Sequence, residues 1–227
     1  MRLQVLDDNL IEDLNEKYGL LLRNIWSEEY TFKNPFKKLV ITVLSQNTSN
    51  VNCIRAYKGL ASKFKITPEV LASANLQKIK KSIRSGGLYN IKAKRIKQLS
   101  QVILERYNGD ITPILDLPKE EAKKRFLELP GIGDKTADVL LTSRYSYSGV
   151  IPIDTHFDRV AKRLGMVDSK ADYQDVQDAW MQFLPKDKRE RLSGLIWLLA
   201  KYTCKSQNPK CFECPLSNIC ELKKESN

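Results

Sequence analysis

Four cysteines near the C-terminal end, Cys204, Cys211, Cys214 and Cys220, follow the spacing C-x6-C-x2-C-x5-C within seventeen residues. The segment that carries them is rich in Lys, Pro, Asn and Ser and has too few apolar residues to bury a core of its own. Four thiols that close together, in such a segment, imply a metal centre that holds it in shape. Tetrahedral zinc and a cubane iron–sulfur cluster both accept four sulfur ligands. The fifth cysteine, Cys53, stands alone in a helical pattern and reads as a buried free thiol. An odd count with four crowded at one end argues against a secreted disulfide scaffold.

The rest of the chain is helical in pattern. Leu10, Ile11, Leu14, Tyr18, Leu21, Leu22 and Ile25 recur at helical spacing and predict an amphipathic helix over 8–26. Pro35 opens the next, Phe36–Leu44, and a third spans Asn50–Phe64. Thr67-Pro68-Glu69 is a cap with proline at the first helical position, for a helix through Ala74. Further helices are expected at Asn75–Arg84, stopped by Gly86-Gly87, at Asn90–Tyr107 and at Pro118–Glu128. A helix then runs to about Tyr145; Asp154 caps one to Leu164, Asp172 caps one ending near Leu184, and Asp187 opens one to Tyr202. No strand, internal repeat or low-complexity segment stands out. The expected class is all-α.

Net charge is +11 over 227 residues, with 42% hydrophobic and 29% charged residues. That composition is globular, and basic residues spread along the whole chain favour an anionic partner, most simply nucleic acid. Gly194–Ala200 is one apolar helical segment, too short for a membrane span. The opening residues carry acids where a signal peptide needs an apolar core, so the expected location is intracellular, in the cytoplasm.

Two stretches carry candidate chemistry. In Leu129-Pro130-Gly131-Ile132-Gly133-Asp134-Lys135-Thr136-Ala137, two glycines precede an apolar helical run. Glycine lets backbone approach a ligand closely, and the amides at a helix start hold phosphate oxygens without any side chain. Lys135 falls in the first turn, where a cation is structurally disfavoured; it is a candidate nucleophile. In Ile151-Pro152-Ile153-Asp154-Thr155-His156, Asp154 reads as an N-cap, and a fixed carboxylate can stabilise positive charge growing on a sugar.

LPGIGDKTA, the Asp154-Thr155-His156 triplet and the cysteine spacing together resemble the endonuclease III family of helix-hairpin-helix DNA glycosylases, from about Asn34 to Cys220. The cysteines match that family's [4Fe-4S] loop gap for gap. The resemblance implies a six-helix barrel over 28–147, with the hairpin at about 118–145. It implies a cluster domain combining 1–27 with 148–227, and a site between the two. It implies that Lys135 attacks the sugar, that Asp154 stabilises its positive charge, and that Gly131, Gly133 and Thr136 of the hairpin contact DNA. His156 is expected to be structural or to contact phosphate.

After Leu44, the polar run Ser45-Gln46-Asn47-Thr48-Ser49-Asn50 resembles the family segment whose glutamine fills the gap left by an extruded nucleotide. Ungapped matching selects Asn47 for that role and residue type selects Gln46. Leu88, after Gly86-Gly87, matches the leucine that wedges into the stack. Lys92, Lys94, Arg95 and Lys97 follow as a charge run, either a solvated face or a set of phosphate contacts. Asp134 and Asp158 are acids where the family commonly has a basic and an aromatic residue.

The function these features imply is a bifunctional glycosylase and abasic-site lyase of base excision repair, with a [4Fe-4S] cluster. Its partner would be double-stranded DNA containing a damaged base or abasic site, bound by a monomer associated with the nucleoid. The rivals are a monofunctional glycosylase for mismatched adenine, thymine or uracil, and a non-catalytic DNA-binding protein with a zinc-stapled tail.

Overall fold

A computed structural model describes residues 5–25, 34–145 and 150–222. The chain divides into two compact units, Tyr30–Arg144 and the pair Met1–Glu29 with Tyr145–Asn227. Among the described residues every regular element is helical.

The first unit contains α2 (Pro35–Ser45), α3 (Asn50–Ala61), α4 (Pro68–Ser73), α5 (Leu76–Ser82), α6 (Tyr89–Tyr107), α7 (Thr112–Leu115), α8 (Lys119–Leu127) and most of α9 (Asp134–Tyr145). Local chemistry sets the first four of these starts. Asn34 accepts from the Lys37 amide ahead of Pro35, Ser49 from Asn52, Thr67 from Val70, and Asn75 from Gln77 and Lys78. Each such cap satisfies an amide that the helix cannot, worth about 1 kcal/mol. Helix α6 is the spine: α2, α4 and α5 pack on it, and Ala93, Ile96, Leu99 and Ile103 are buried along it.

Two helix ends and one short element depart from expectation. The helix from Asn50 ends at Ala61, short of Phe64. The one from Asn75 ends at Ser82 and gives way to a 3-10 turn, Arg84–Gly86. Helix α7 was absent from the pattern because four residues are too few to show a period.

The second unit contains α1 (Asp8–Ile25), α10 (Thr155–Leu164), α11 (Tyr173–Phe183), α12 (Arg189–Tyr202) and the cysteine segment with two 3-10 turns. Helix α1 packs on α12, and α10 on both α11 and α12. The core gathers Leu14, Phe157, Val160, Trp180, Leu195 and Leu199, all buried, each such side chain contributing roughly 1.5–3 kcal/mol. Trp180 sits edge-on to Phe157 and Phe183, and its indole donates to the Phe157 carbonyl at 3.1 Å. Asp172 builds a reciprocal capping box with Asp175. Asp187 does not cap α12; Lys188 occupies that position without a side-chain bond. No helix among the described residues is long and apolar enough to cross a membrane.

Candidate active site

The hairpin joins α8 to α9 through a turn in which the Ile132 amide donates to the Leu129 carbonyl at 3.2 Å. Gly131 has φ +74, and a Cβ there would stand 1.9 Å from Arg95 Nε, so any other residue would strain the backbone and displace Arg95. The Ala137 amide donates to the Gly133 carbonyl at 3.0 Å, which makes Gly133 the N-cap of α9. Having no side chain, Gly133 cannot satisfy the helix's first amides. Lys135 lies in the first turn with an exposed side chain, and Thr136 beside it is buried. Lys123 of α8 reaches Asp134 and the fully buried Asp138, both at 3.3 Å. The acid at 134 is therefore offset within the hairpin itself.

The segment after α2 separates its two candidate residues. Gln46 is half-buried: its Nε2 donates to Thr136 Oγ1 at 3.4 Å, and its Oε1 accepts from Arg95 Nη1 at 2.5 Å. Asn47 is exposed and adopts a left-handed backbone, φ +50. Leu88 is also left-handed, φ +47, and 51% exposed. A leucine that served to anchor two helices would be buried. A non-glycine residue held in this region costs of order 1 kcal/mol, and such strain gathers at functional sites.

The charge run of α6 is neither a solvated face nor a row of outward contacts. Lys92 is 2% exposed, and its Nζ donates to the Leu44 and Gly86 carbonyls at 2.7 and 2.8 Å. Burial pushes its pKa down. Lys97 donates to the Ala72 and Ala74 carbonyls at the end of α4, and only Lys94 of the four is exposed. The signal was available, since Lys92 falls on the apolar stripe with Ile96, Leu99 and Ile103. The Cys53 thiol, pushed up to about 11 by burial, lies near Lys92.

In the second unit Asp154 caps α10. Its Oδ1 accepts from the His156 and Phe157 amides at 2.8 and 3.0 Å, so Oδ2 lies outside both bonds. Arg159 Nη2 donates to His156 Nδ1 at 3.1 Å, which leaves Nε2 as the protonated nitrogen, and the ring stands edge-on to Trp197. Asp158 pairs with Lys162 one turn on, at 2.7 Å, while its neighbour Phe157 fills the core.

Thr203, Cys204, Lys210, Cys211, Cys214 and Cys220 line one pocket. None of the four cysteines is in a disulfide, and burial, followed by the neighbouring thiols, pushes Cys214 up to about 11. Arg163 donates to Cys204 Sγ at 3.3 Å and to the Lys205 and Ser206 carbonyls; Arg159 donates to the Cys204 carbonyl. Among the described residues no three His, Cys, Asp or Glu side chains are gathered tightly enough to hold a single metal ion. Four thiols around one pocket are nonetheless a donor set suited to a sulfur-ligated group.

Residues 40–186 match the HhH-GPD superfamily of base excision DNA repair proteins. The chain is 34% identical over 192 residues to Endonuclease III of Bacillus subtilis, covering 85% of this chain and 83% of that one. It is similar to the structure of a trapped Endonuclease III–DNA covalent intermediate, an estranged-adenine complex. That similarity has a TM-score of 0.77 at 28% identity and covers 98% of this chain and 99% of the other. A thermostable thymine-DNA glycosylase shares the fold, with a TM-score of 0.70 at 19% identity over 96% of this chain and 100% of that one.

Proposed function

Because the chain belongs to the endonuclease III family of the HhH-GPD superfamily of base excision DNA repair proteins, we propose that it excises a damaged base from duplex DNA and cuts the strand 3′ to the abasic site. An oxidised pyrimidine is the proposed lesion. The observation that carries this reading is an exposed lysine in the first turn of a helix whose cap is glycine. That helix start receives a backbone phosphate on its amides and keeps the amine beside it.

The Lys135 amine attacks C1′ of the extruded nucleotide, the N-glycosidic bond breaks, and the base departs. Asp154 stabilises the cationic sugar and takes a proton from the attacking amine. The sugar opens to an imine on Lys135, loss of a C2′ proton follows, and the 3′ phosphate leaves by β-elimination. Leu88 enters the stack while the segment after α2 occupies the gap. His156 contacts phosphate through the face opposite Arg159. Cys204, Cys211, Cys214 and Cys220 would hold a [4Fe-4S] cluster, which supplies a cross-link for its loop. Iron and sulfide analysis tests that assignment, and a colourless zinc protein would overturn it.

Borohydride trapping on duplexes that each carry one lesion tests the main reading. The expected result is a covalent adduct with the wild-type protein and none with Lys135→Ala. Base removal without an adduct on any lesion would favour the monofunctional glycosylase, whose fold this chain shares.

A further inference from the structure

The buried and half-buried cations of α6 connect segments far apart in sequence, all within one unit. Lys92 joins the last turn of α2, at the Leu44 carbonyl, to the turn ahead of Leu88, at the Gly86 carbonyl. Arg95, one turn further on, joins Gln46 to the hairpin. Its Nη1 donates to Gln46 Oε1, and its side chain fills the space over Gly131. Gln46 completes the circuit by donating to Thr136, the neighbour of Lys135. A guanidinium hydrogen bond is roughly twice as strong as a neutral one, so Gln46 does not leave this clamp easily. Asn47 stands next to it, exposed and already turned into a left-handed conformation.

We propose that Arg95, supported by Lys92, is a positioning residue that clamps Gln46 to the hairpin so that Asn47 is the side chain inserted into the gap. Arg95 touches no reacting atom in this scheme; it acts through Gln46 by holding the segment after α2 in register with the first turn of α9. The proposal rests on the glycosylase reading above, and its test keeps the two apart.

Single-turnover base excision is measured on a lesion duplex, and β-elimination on a preformed abasic duplex, for Arg95→Met, Gln46→Ala, the double variant and Asn47→Ala. Arg95→Met and Gln46→Ala should each slow excision about tenfold, the scale of a small misplacement of reacting groups, and elimination less than about threefold. The double variant should be no slower than either single one, because both break the same clamp. Asn47→Ala should slow excision more than Gln46→Ala. Additive losses from Arg95→Met and Gln46→Ala, or a larger loss at Gln46 than at Asn47, overturn the proposal. If the wild-type protein neither excises nor cuts, the glycosylase reading fails instead. Hydrogen exchange of the free protein then decides the clamp: Arg95→Met should speed exchange at the amides of residues 46–48, and unchanged exchange overturns it.

Discussion

Two helix starts, α9 and α10, solve the same electrostatic problem in opposite ways. Each presents orphan amides and the positive end of a dipole. Helix α10 answers from within: Asp154 folds its Oδ1 onto the His156 and Phe157 amides. Helix α9 has Gly133 at the corresponding place and therefore no side chain with which to answer. A self-capped start is stable alone and keeps a carboxylate at a fixed point. An uncapped start is less stable alone and retains its affinity for an anion. The difference is what the proposed roles require, an anion held at the start of α9 and a fixed carboxylate at the start of α10.

The largest expected effect comes from removing the amine at the uncapped start. Lys135→Ala should lower strand cleavage by roughly a thousandfold or more, with duplex affinity nearly unchanged. Parallel loss of binding, measured by fluorescence anisotropy, would show that Lys135 holds phosphate and is not a nucleophile. Asp154→Asn keeps a side chain that caps well, so thermal stability should change by less than ~0.5 kcal/mol while base excision falls about a hundredfold. Comparable losses in stability and rate would reduce Asp154 to a cap. Gly133→Asp would give α9 the cap that α10 has, and a Cβ at 133 meets nothing within 4 Å. Stability should change by only a few tenths of a kcal/mol, while duplex affinity falls about tenfold, ~1.4 kcal/mol. Undiminished affinity would separate phosphate binding from the start of α9. The smallest effect is expected for Asp134→Asn, because Lys123 already offsets that acid. Removing it should raise duplex affinity about two- to threefold at low salt, and the gain should vanish as salt is raised.

Legibility followed range. The caps at Thr67, Asp154 and Asp172 need only a residue and the two or three that follow it, and each helix they open starts where the pattern placed it. Helix ends were less visible. The run from Asn75 passes into a 3-10 turn where Gly86 packs close to Ala56, a neighbour that no local pattern names. Among the candidate residues, Gln46 and Asn47 were inseparable as neighbours of similar chemistry, and the Lys92–Lys97 run looked uniform. The structure gives one of the amides and three of the four cations internal partners.

By itself, then, the order of residues determined the all-helical class, the cysteine segment as a distinct piece, and the two helix starts with their contrasting caps. These rest on backbone geometry and on bonds that close within a single turn. Tertiary structure alone decided which carbonyls Lys92 reaches, that Arg95 spans to Gln46, and that Asn47 is the amide left outside. The contacts to Leu44 and Gln46 join residues 48 and 49 positions apart. Whether a long, charged side chain faces solvent or a carbonyl depends on what the rest of the chain brings against it.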